Sequence, residues 1–126
     1  MKLNCVAIDD EPLALDILAA YCSKIPFMSL VRTFNDAADL LDFLANNQVD
    51  LLFLDIQMDG ITGIELMKVM KNRPNIILTT AYDSHTVKSF GAGEVDYLLK
   101  PISFDKFSKC VNKVYERIMN DRAELP

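Results

Sequence analysis

Strand-like and helix-like apolar patterns alternate about five times along this chain of 126 residues, and this alternation constrains the fold more than any other feature. Short, apolar, strand-prone runs occupy positions 3–8, 28–34, 51–54, 76–79 and 95–99. Segments with apolar residues at helical spacing separate and follow these runs. Such an alternation predicts a parallel sheet with helices on both faces. We therefore predict a single α/β domain with a doubly wound, five-stranded sheet.

The composition indicates a globular domain and argues against direct binding to DNA or membranes. Hydrophobic residues make up 51% of the chain and charged residues 25%, which is ordinary for a folded domain. The net charge of −5 would repel a phosphate backbone. No apolar run reaches the roughly 18–20 residues of a membrane span, so we expect a cytoplasmic domain. Cys5, Cys22 and Cys110 are widely separated, which favours buried reduced thiols over disulfides.

Polar residues stand at or just after the ends of the predicted strands. They are Asp9, Asp10, Asp55, Thr80 and Lys100, the last followed directly by Pro101. The ends of parallel strands share one edge of a sheet, and ligands bind in the crevice there. We therefore expect an acidic pocket with one cation and one hydroxyl, suited to a divalent metal beside a nucleophilic carboxylate.

Several of these residues also have purely structural explanations. Acids such as Asp9 and Asp10 are favoured at a helix N-terminus by the helix dipole. Thr80 could be an ordinary strand residue, and Tyr97 on its spacing alone is more typical of a core. His85 lies in a polar stretch without a second metal ligand nearby, so we predict a surface residue. The register of the acids with a distant lysine favours a site over these alternatives.

The segments IDDEPLA, LLFLDIQM, LTTAYD and VDYLLKPI resemble, in this order, the receiver domain of two-component response regulators. The resemblance covers essentially the whole chain, and DDEPLA, TTAYD and DYLLKP are similar to the LytR/AlgR subgroup. It implies a flavodoxin-like (βα)5 fold with strand order 2-1-3-4-5. It also implies a receiver domain over residues 1–119, with residues 120–126 as a polar tail or the start of a linker. Any DNA binding would belong to a C-terminal LytTR-type output domain that this sequence lacks.

The resemblance implies that Asp55 is a phosphoacceptor, whose carboxylate attacks phosphorus and forms an aspartyl phosphate. A sensor histidine kinase would supply the phosphoryl group. Lys100 and the hydroxyl of Thr80 would contact the phosphoryl oxygens, because phosphoryl transfer depends mainly on positioning and charge neutralisation. In this role the domain assists its own phosphorylation and dephosphorylation and is not otherwise an enzyme.

The resemblance also implies Mg²⁺ as the cofactor. Asp10 and Asp55 would be direct ligands, the backbone carbonyl of Gln57 a third, and Asp9 would act through a metal-bound water. Magnesium keeps several waters, so these few oxygen ligands suffice. Mg²⁺ and Lys100 together would balance the charge of the three carboxylates.

The family places an aromatic residue three positions before the lysine, as Tyr97 stands before Lys100. Phosphorylation would draw Thr80 toward the phosphoryl oxygens and let Tyr97 turn inward, which changes a surface. That surface could form a two-fold homodimer. It would comprise the Ser84–Phe90 helix, the Val95–Leu99 strand and the last helix, with Lys88, Asp96 and Lys113 as rim charges.

Two local features carry further expectations. Four residues after Asp55 the family commonly has proline, whereas this chain has Asp59 followed by Gly60. The glycine permits more conformations and the aspartate adds a carboxylate, which leaves metal affinity and phosphoryl lifetime open. The Lys100-Pro101 bond is expected to be cis, since cis is accessible at X-Pro bonds and the family favours it.

Three other functions share parts of this pattern. A haloacid-dehalogenase-like phosphatase would need an acid two residues after the nucleophile, where this chain has Gln57. A flavodoxin would need a hydroxyl- and glycine-rich phosphate loop after the first strand, where three acids stand instead. A pseudo-receiver that acts only as an interaction module would have lost the acceptor, an acid or the lysine, and none is missing.

Overall fold

A computed structural model describes residues 2–58, 60–71, 73–82 and 95–123 of the chain. The elements in chain order are β1 (Leu3–Ile8), α1 (Pro12–Ser23), β2 (Met28–Phe34), α2 (Ala37–Asn46), β3 (Leu51–Asp55), α3 (Gly63–Val69), β4 (Asn75–Thr80), β5 (Asp96–Leu99) and α4 (Phe104–Ala123). Two predicted strands match their observed bounds, and the other three differ by one residue at one or both ends. The predicted Ser84–Phe90 helix, with His85 and Lys88, lies outside the described residues, as does Asp59.

The five strands form one parallel sheet. Their order across the sheet is β2-β1-β3-β4-β5, which confirms the predicted order 2-1-3-4-5 and the flavodoxin-like fold. All five residues of the central strand β3 are buried, as its almost entirely apolar sequence predicts for a strand covered on both faces. β5 lies at one edge of the sheet, so its outer side has no neighbouring strand in the described residues.

Side chains along each strand alternate between two apolar layers. One layer, the α1/α4 face, contains Phe53, Ile77 and Leu98 together with residues of α1 and α4. The other layer, the α2/α3 face, contains Leu54 and Leu78 together with residues of α2 and α3. Two consecutive residues of one strand therefore have different surroundings, and this separation extends to the polar residues at the strand ends.

The first turn of α3 lies directly against the end of β3. Thr62 and Glu65 form a capping box that fixes where the helix begins. The N–H of Gly63 donates to the carbonyl oxygen of Ile56 at 2.8 Å. A Cβ atom at position 63 would overlap the carbonyl oxygen of Asp55, so the close approach of helix and strand requires glycine here.

The loop between β3 and α3 also depends on a glycine. Gly60 has a φ of 88°, in the left-handed region that side-chain-bearing residues rarely adopt. This left-handed glycine lets the chain turn from β3 toward α3.

The cysteines are free thiols, as predicted. Cys5 and Cys22 are buried in the α1/α4 face, and burial raises the pKa of each to about 12. Burial likewise raises the pKa of Cys110 to about 11. All three are thus protonated near neutral pH, which favours a packing role over thiol chemistry.

The C-terminal part of the chain contains a cis peptide bond and a long helix. The Lys100-Pro101 peptide bond is cis, which confirms the prediction. The last helix continues to Ala123, so residues 120–123 are helical. Among the helices that the structure describes, none combines the length and the apolar character needed to cross a membrane.

Candidate functional site

Three of the predicted site residues meet at the carboxyl edge of the sheet. Asp9 follows β1, Asp55 ends β3 and Lys100 follows β5. The Nζ atom of Lys100 lies 2.9 Å from Oδ2 of Asp9 and 3.5 Å from Oδ1 of Asp55. The strand order brings these groups together although 91 residues separate Asp9 from Lys100. One ammonium group thus links two carboxylates from different strands.

Local backbone hydrogen bonds orient both carboxylates. Oδ1 of Asp9 accepts the N–H of Glu11 at 2.9 Å, and Oδ1 of Asp55 accepts the N–H of Gln57 at 3.1 Å. In each case an aspartate binds the backbone two residues further on, which is a typical turn interaction of this side chain. Asp9 is fully buried, and Asp55 is 3% exposed. Both carboxylates are therefore held at the base of the site with little access to water.

The surroundings of Asp55 disfavour the ionised form of its carboxyl group. Burial raises its pKa, and the negative charge of Asp9 adds to the rise, whereas Lys100 and the N–H of Gln57 oppose it. The balance places the pKa of Asp55 at about 6, above the ordinary 3.8. Near neutral pH the group is ionised, and it would gain from an additional positive charge.

The surroundings of Lys100, unlike those of Asp55, favour the charged form of the side chain. Burial disfavours its charged form, but the hydrogen bond to Asp9 and the charges of Asp55, Asp9 and Glu11 outweigh burial and raise its pKa above the ordinary value. The ammonium is therefore charged throughout the physiological range. Glu11 lies 3.6 Å from this ammonium, although its sequence position indicates only a first-turn helix acid. It is a peripheral member of the charge cluster, with its side chain 71% exposed.

Thr80 ends β4 beside this cluster and is buried. Its hydroxyl oxygen accepts the N–H of Tyr82 at 2.9 Å, so the hydroxyl proton remains available for donation. Its backbone carbonyl accepts the N–H of Lys100 at 2.6 Å, which ties β4 to the segment that carries the lysine. Tyr97 is half-buried on β5 and packs against the α2/α3 face, where its register partner is Leu78.

Asp10 and Gln57 line a neighbouring cleft of about 520 Å³ that opens beside the buried carboxylates. Asp10 is exposed, unlike its neighbour Asp9. The side-chain amide of Gln57 donates to the hydroxyl oxygen of Tyr82 at 2.7 Å, which connects the loop after β3 with the loop after β4. Sequence reasoning missed Tyr82, since nothing in its spacing predicts which residue Gln57 would contact.

The donor set suits a hard divalent cation. Asp9, Asp10, Asp55 and the backbone carbonyl of Gln57 supply only oxygen, which is what Mg²⁺ prefers. In the described part of the chain, no three acidic, histidine or cysteine side chains are already placed to surround an ion. A cation that retains several waters needs fewer protein ligands than that, so the residues fit Mg²⁺ as a partly hydrated ion.

The sequence is similar to a well-populated family. The family described as "Response regulator receiver domain" matches residues 5–112. The chain is 35% identical over 121 residues to the sensory transduction protein LytR of Staphylococcus haemolyticus, covering 94% of this chain and 47% of that protein. It is also 35% identical over 115 residues to the transcriptional regulatory protein LytR of Staphylococcus aureus, covering 89% and 47%. The chain thus spans about half the length of the curated relatives that it matches.

The fold has counterparts among solved structures. The crystal structure of the response regulatory domain of protein mrkE from Klebsiella pneumoniae superposes with a TM-score of 0.78. The two chains are 30% identical, and the alignment covers 91% of this chain and 97% of the other. The sequence and fold comparisons therefore agree on the family and the fold.

Proposed function

This chain belongs to the response regulator receiver family, and from that premise we propose that Asp55 accepts a phosphoryl group from a sensor histidine kinase in a Mg²⁺-dependent reaction. The observation that carries the proposal is the buried carboxylate of Asp55, 3.5 Å from the ammonium of Lys100 and beside Asp9. A buried acid with a raised pKa and a specific charge partner, at the ligand-binding edge of the sheet, is a strong candidate for chemistry.

The proposed reaction forms a bond between a carboxylate oxygen of Asp55 and phosphorus, while the bond from phosphorus to the donor nitrogen breaks. The negative charge is distributed over the transferring phosphoryl oxygens, so catalysis depends on positive charge and hydrogen-bond donors nearby. Lys100 supplies a fixed positive charge, and the free hydroxyl proton of Thr80 supplies a donor. Mg²⁺, when bound, would supply further charge neutralisation, held by Asp10, Asp55 and the carbonyl of Gln57, with Asp9 acting through water.

A phosphatase with an aspartate nucleophile is less well supported. Such an enzyme needs an acid near the nucleophile to exchange a proton with the leaving group. This acid would stand two residues after the nucleophile, and this chain has Gln57 there. The amide of Gln57 cannot exchange a proton in this way, and it donates a hydrogen bond to the hydroxyl oxygen of Tyr82. This favours a phosphoacceptor domain over a phosphatase.

Incubation with acetyl phosphate and Mg²⁺ should add the mass of one phosphoryl group to the chain, and fragmentation should locate it at Asp55. The Asp55→Asn variant should incorporate none, because the amide is not a nucleophile of this kind. Intact-mass and peptide mass spectrometry would measure both results. The matched control is Asp16→Asn, which changes an exposed acid on α1 and should react like the parent. Label on another residue, or label that persists in Asp55→Asn, would contradict the assignment.

Millimolar Mg²⁺ should raise the thermal unfolding midpoint by about 3–6 °C, because a ligand that binds only the folded state stabilises it by mass action. Asp10→Ala should abolish this rise, since the variant lacks one of the proposed direct ligands. Differential scanning calorimetry with and without Mg²⁺ would measure it, and Asp42→Ala on the exposed side of α2 is the control. An unchanged Mg²⁺ response in Asp10→Ala would place the ion elsewhere.

The proposed output runs through Thr80 and Tyr97, which lie on adjacent strands and on the same side of the sheet. Movement of Thr80 toward a phosphoryl group would free space for the half-buried ring of Tyr97. The curated relatives are about twice as long as this chain, and those from Staphylococcus aureus are named transcriptional regulatory protein LytR. In this proposal residues 1–119 are the receiver, and residues 120–126 lead toward a DNA-binding output domain.

On the proposed homodimer face, Asp96 already forms ion pairs within its own chain, which the sequence does not reveal. Asp96 lies 3.1 Å from the ammonium of Lys113 and 2.8 Å from the guanidinium of Arg117, both on α4 of the same chain. Burial alone would raise the pKa of Asp96, but its bonds to these cations outweigh burial and lower the pKa. Asp96 and Lys113 are thus already paired with one another, and a dimer using them as rim charges would have to exchange these internal ion pairs.

A further inference from the structure

Thr79, next to the predicted Thr80, has an unexplained hydroxyl group. Its side chain is 1% exposed. Its Oγ1 atom has no hydrogen-bond partner among the described residues, and no other fully buried side-chain nitrogen or oxygen in them lacks one. Buried polar groups in folded proteins are almost always hydrogen-bonded, so such an atom indicates either a fault in packing or a function.

The sheet places Thr79 beside the proposed phosphoacceptor. Thr79 of β4 pairs in register with Asp55 of β3. Strand alternation puts Thr79 on the side of Ile77 and Asp55 on the side of Phe53, and both of those residues belong to the α1/α4 face. Thr80 takes the opposite side, with Leu78. The two adjacent threonines therefore approach the site from different faces of the sheet.

The other neighbours of Thr79 in the sheet cannot satisfy its hydroxyl. Its register partner on β5 is Leu98, and the residue two positions earlier on the same side is Ile77; both are apolar and buried. Asp55 is therefore the polar neighbour in this row. An ionised carboxylate can accept about four hydrogen bonds, and Oδ1 of Asp55 accepts one from the backbone N–H of Gln57.

We propose that Thr79 is a positioning residue. Its hydroxyl, which has no partner among the described residues of the unphosphorylated chain, donates a hydrogen bond to the carboxyl group of Asp55 during phosphoryl transfer and orients that group. The inference rests on the proposed function of Asp55. When one carboxylate oxygen forms the bond to phosphorus, the other becomes the carbonyl oxygen of the acyl phosphate and accepts the hydrogen bond from Thr79. When water later attacks the phosphorus, the bond between phosphorus and the Asp55 oxygen breaks and orthophosphate leaves. The carboxylate of Asp55 regains its charge, and the hydroxyl of Thr79 stabilises this charge by donating a hydrogen bond.

This role predicts an effect on the lifetime of the phosphorylated form. Thr79→Val keeps the shape of the side chain and removes only the hydroxyl, so the departing carboxylate loses a donor. The half-life of phosphorylated Asp55 should become about tenfold longer, the size expected for one hydrogen bond to a charged group. Thr79→Ser keeps the donor and should have nearly the half-life of the parent.

The test loads each variant of the 126-residue chain with acetyl phosphate and Mg²⁺, removes the phosphodonor, and follows the loss of the phosphoryl mass by mass spectrometry. Ile77→Val is the packing control, because it removes a buried methylene from the same side of β4 without touching a hydroxyl. Thermal unfolding should show that Thr79→Val is at least as stable as the parent, since an unpartnered buried hydroxyl stabilises nothing.

A longer half-life in Thr79→Val with recovery in Thr79→Ser supports the inference. A half-life in Thr79→Val within about twofold of the parent, or shorter, overturns it, as does a Thr79→Ser variant that behaves like Thr79→Val. A folded Thr79→Val that accepts no phosphate while Thr79→Ser does would support positioning at the acceptance step. A parent chain that accepts no phosphate at Asp55 would instead refute the proposed function.

Discussion

Replacement of Lys100 by methionine should lower the free energy of unfolding by about 3 kcal/mol at pH 8 in the absence of Mg²⁺. Methionine keeps much of the apolar stem but removes the ammonium that lies 2.9 Å from Asp9 and 3.5 Å from Asp55. Two buried carboxylates then remain without a contacting cation among the described residues. Removing one partner of a buried ion pair destabilises a protein strongly, because the remaining charge is buried without compensation. Urea denaturation followed by circular dichroism would measure the loss.

The pH dependence of this loss has a definite sign. The pKa of Lys100 is raised in the folded state, so its stabilisation is fully present below its ordinary value of 10.5 and is lost only above that value. At pH 8 the parent therefore has the full benefit. In the variant Asp55 loses the positive charge that lowers its pKa, so this acid protonates at a higher pH than in the parent, and the difference in stability from the parent should shrink in acid.

The control for this variant is Lys109→Met. Lys109 pairs with Asp105 at 3.1 Å, but both side chains are more than three-quarters exposed. Exposed pairs one helical turn apart contribute at most about 0.5 kcal/mol. If Lys100→Met were destabilised no more than Lys109→Met at pH 8, the ion cluster at the carboxyl edge would not exist in solution.

Asp55→Asn should have the opposite effect and raise the free energy of unfolding by about 1–3 kcal/mol at pH 8 without Mg²⁺. The pKa of Asp55 is about 6 in the folded state against an ordinary 3.8, so folding favours the protonated acid. The penalty for the ionised acid is therefore fully present above pH 6 and disappears as pH falls toward 3.8. The neutral amide escapes this penalty but loses the attraction of Lys100, which sets the lower end of the range.

Urea denaturation of Asp55→Asn and the parent at pH 5 and pH 8 would measure this difference, which should be larger at pH 8. Asp9→Asn is the informative comparison, because Asp9 makes the shortest contact with Lys100 and its loss should destabilise the fold. An Asp55→Asn variant that is less stable than the parent at pH 8 would show that Lys100 outweighs burial at this position. The Asp55→Asn variant would thus be more stable than the parent but unable to accept a phosphoryl group. Such a trade-off between stability and function is common at functional sites.

Much of this site could be predicted from the sequence because topology decides it. Once the strands are parallel and in the order observed, the ends of β1, β3 and β5 must converge, and Asp9, Asp55 and Lys100 with them. The apolar alternation of the chain predicts the parallel sheet, and the resemblance to the receiver family implies the strand order. No knowledge of side-chain conformations is needed.

What the sequence did not predict depends on which side chains reach one another. The bond between Gln57 and Tyr82 joins two loops whose conformations have no periodic signal. The pairing of Asp96 with Lys113 and Arg117 depends on how α4 lies across β5. These contacts arise from tertiary packing and cannot be predicted from the local structural propensities of the residues.

The contact between Gly63 and the carbonyl oxygen of Asp55 has an evolutionary consequence. Because α3 begins directly against the backbone of Asp55, the loop over residues 56–62 is anchored at both ends. An insertion or deletion close to Gly63 would displace Asp55 itself, whereas a change of residue type inside the loop would not. We therefore expect homologous chains to conserve the length of this segment while its composition drifts.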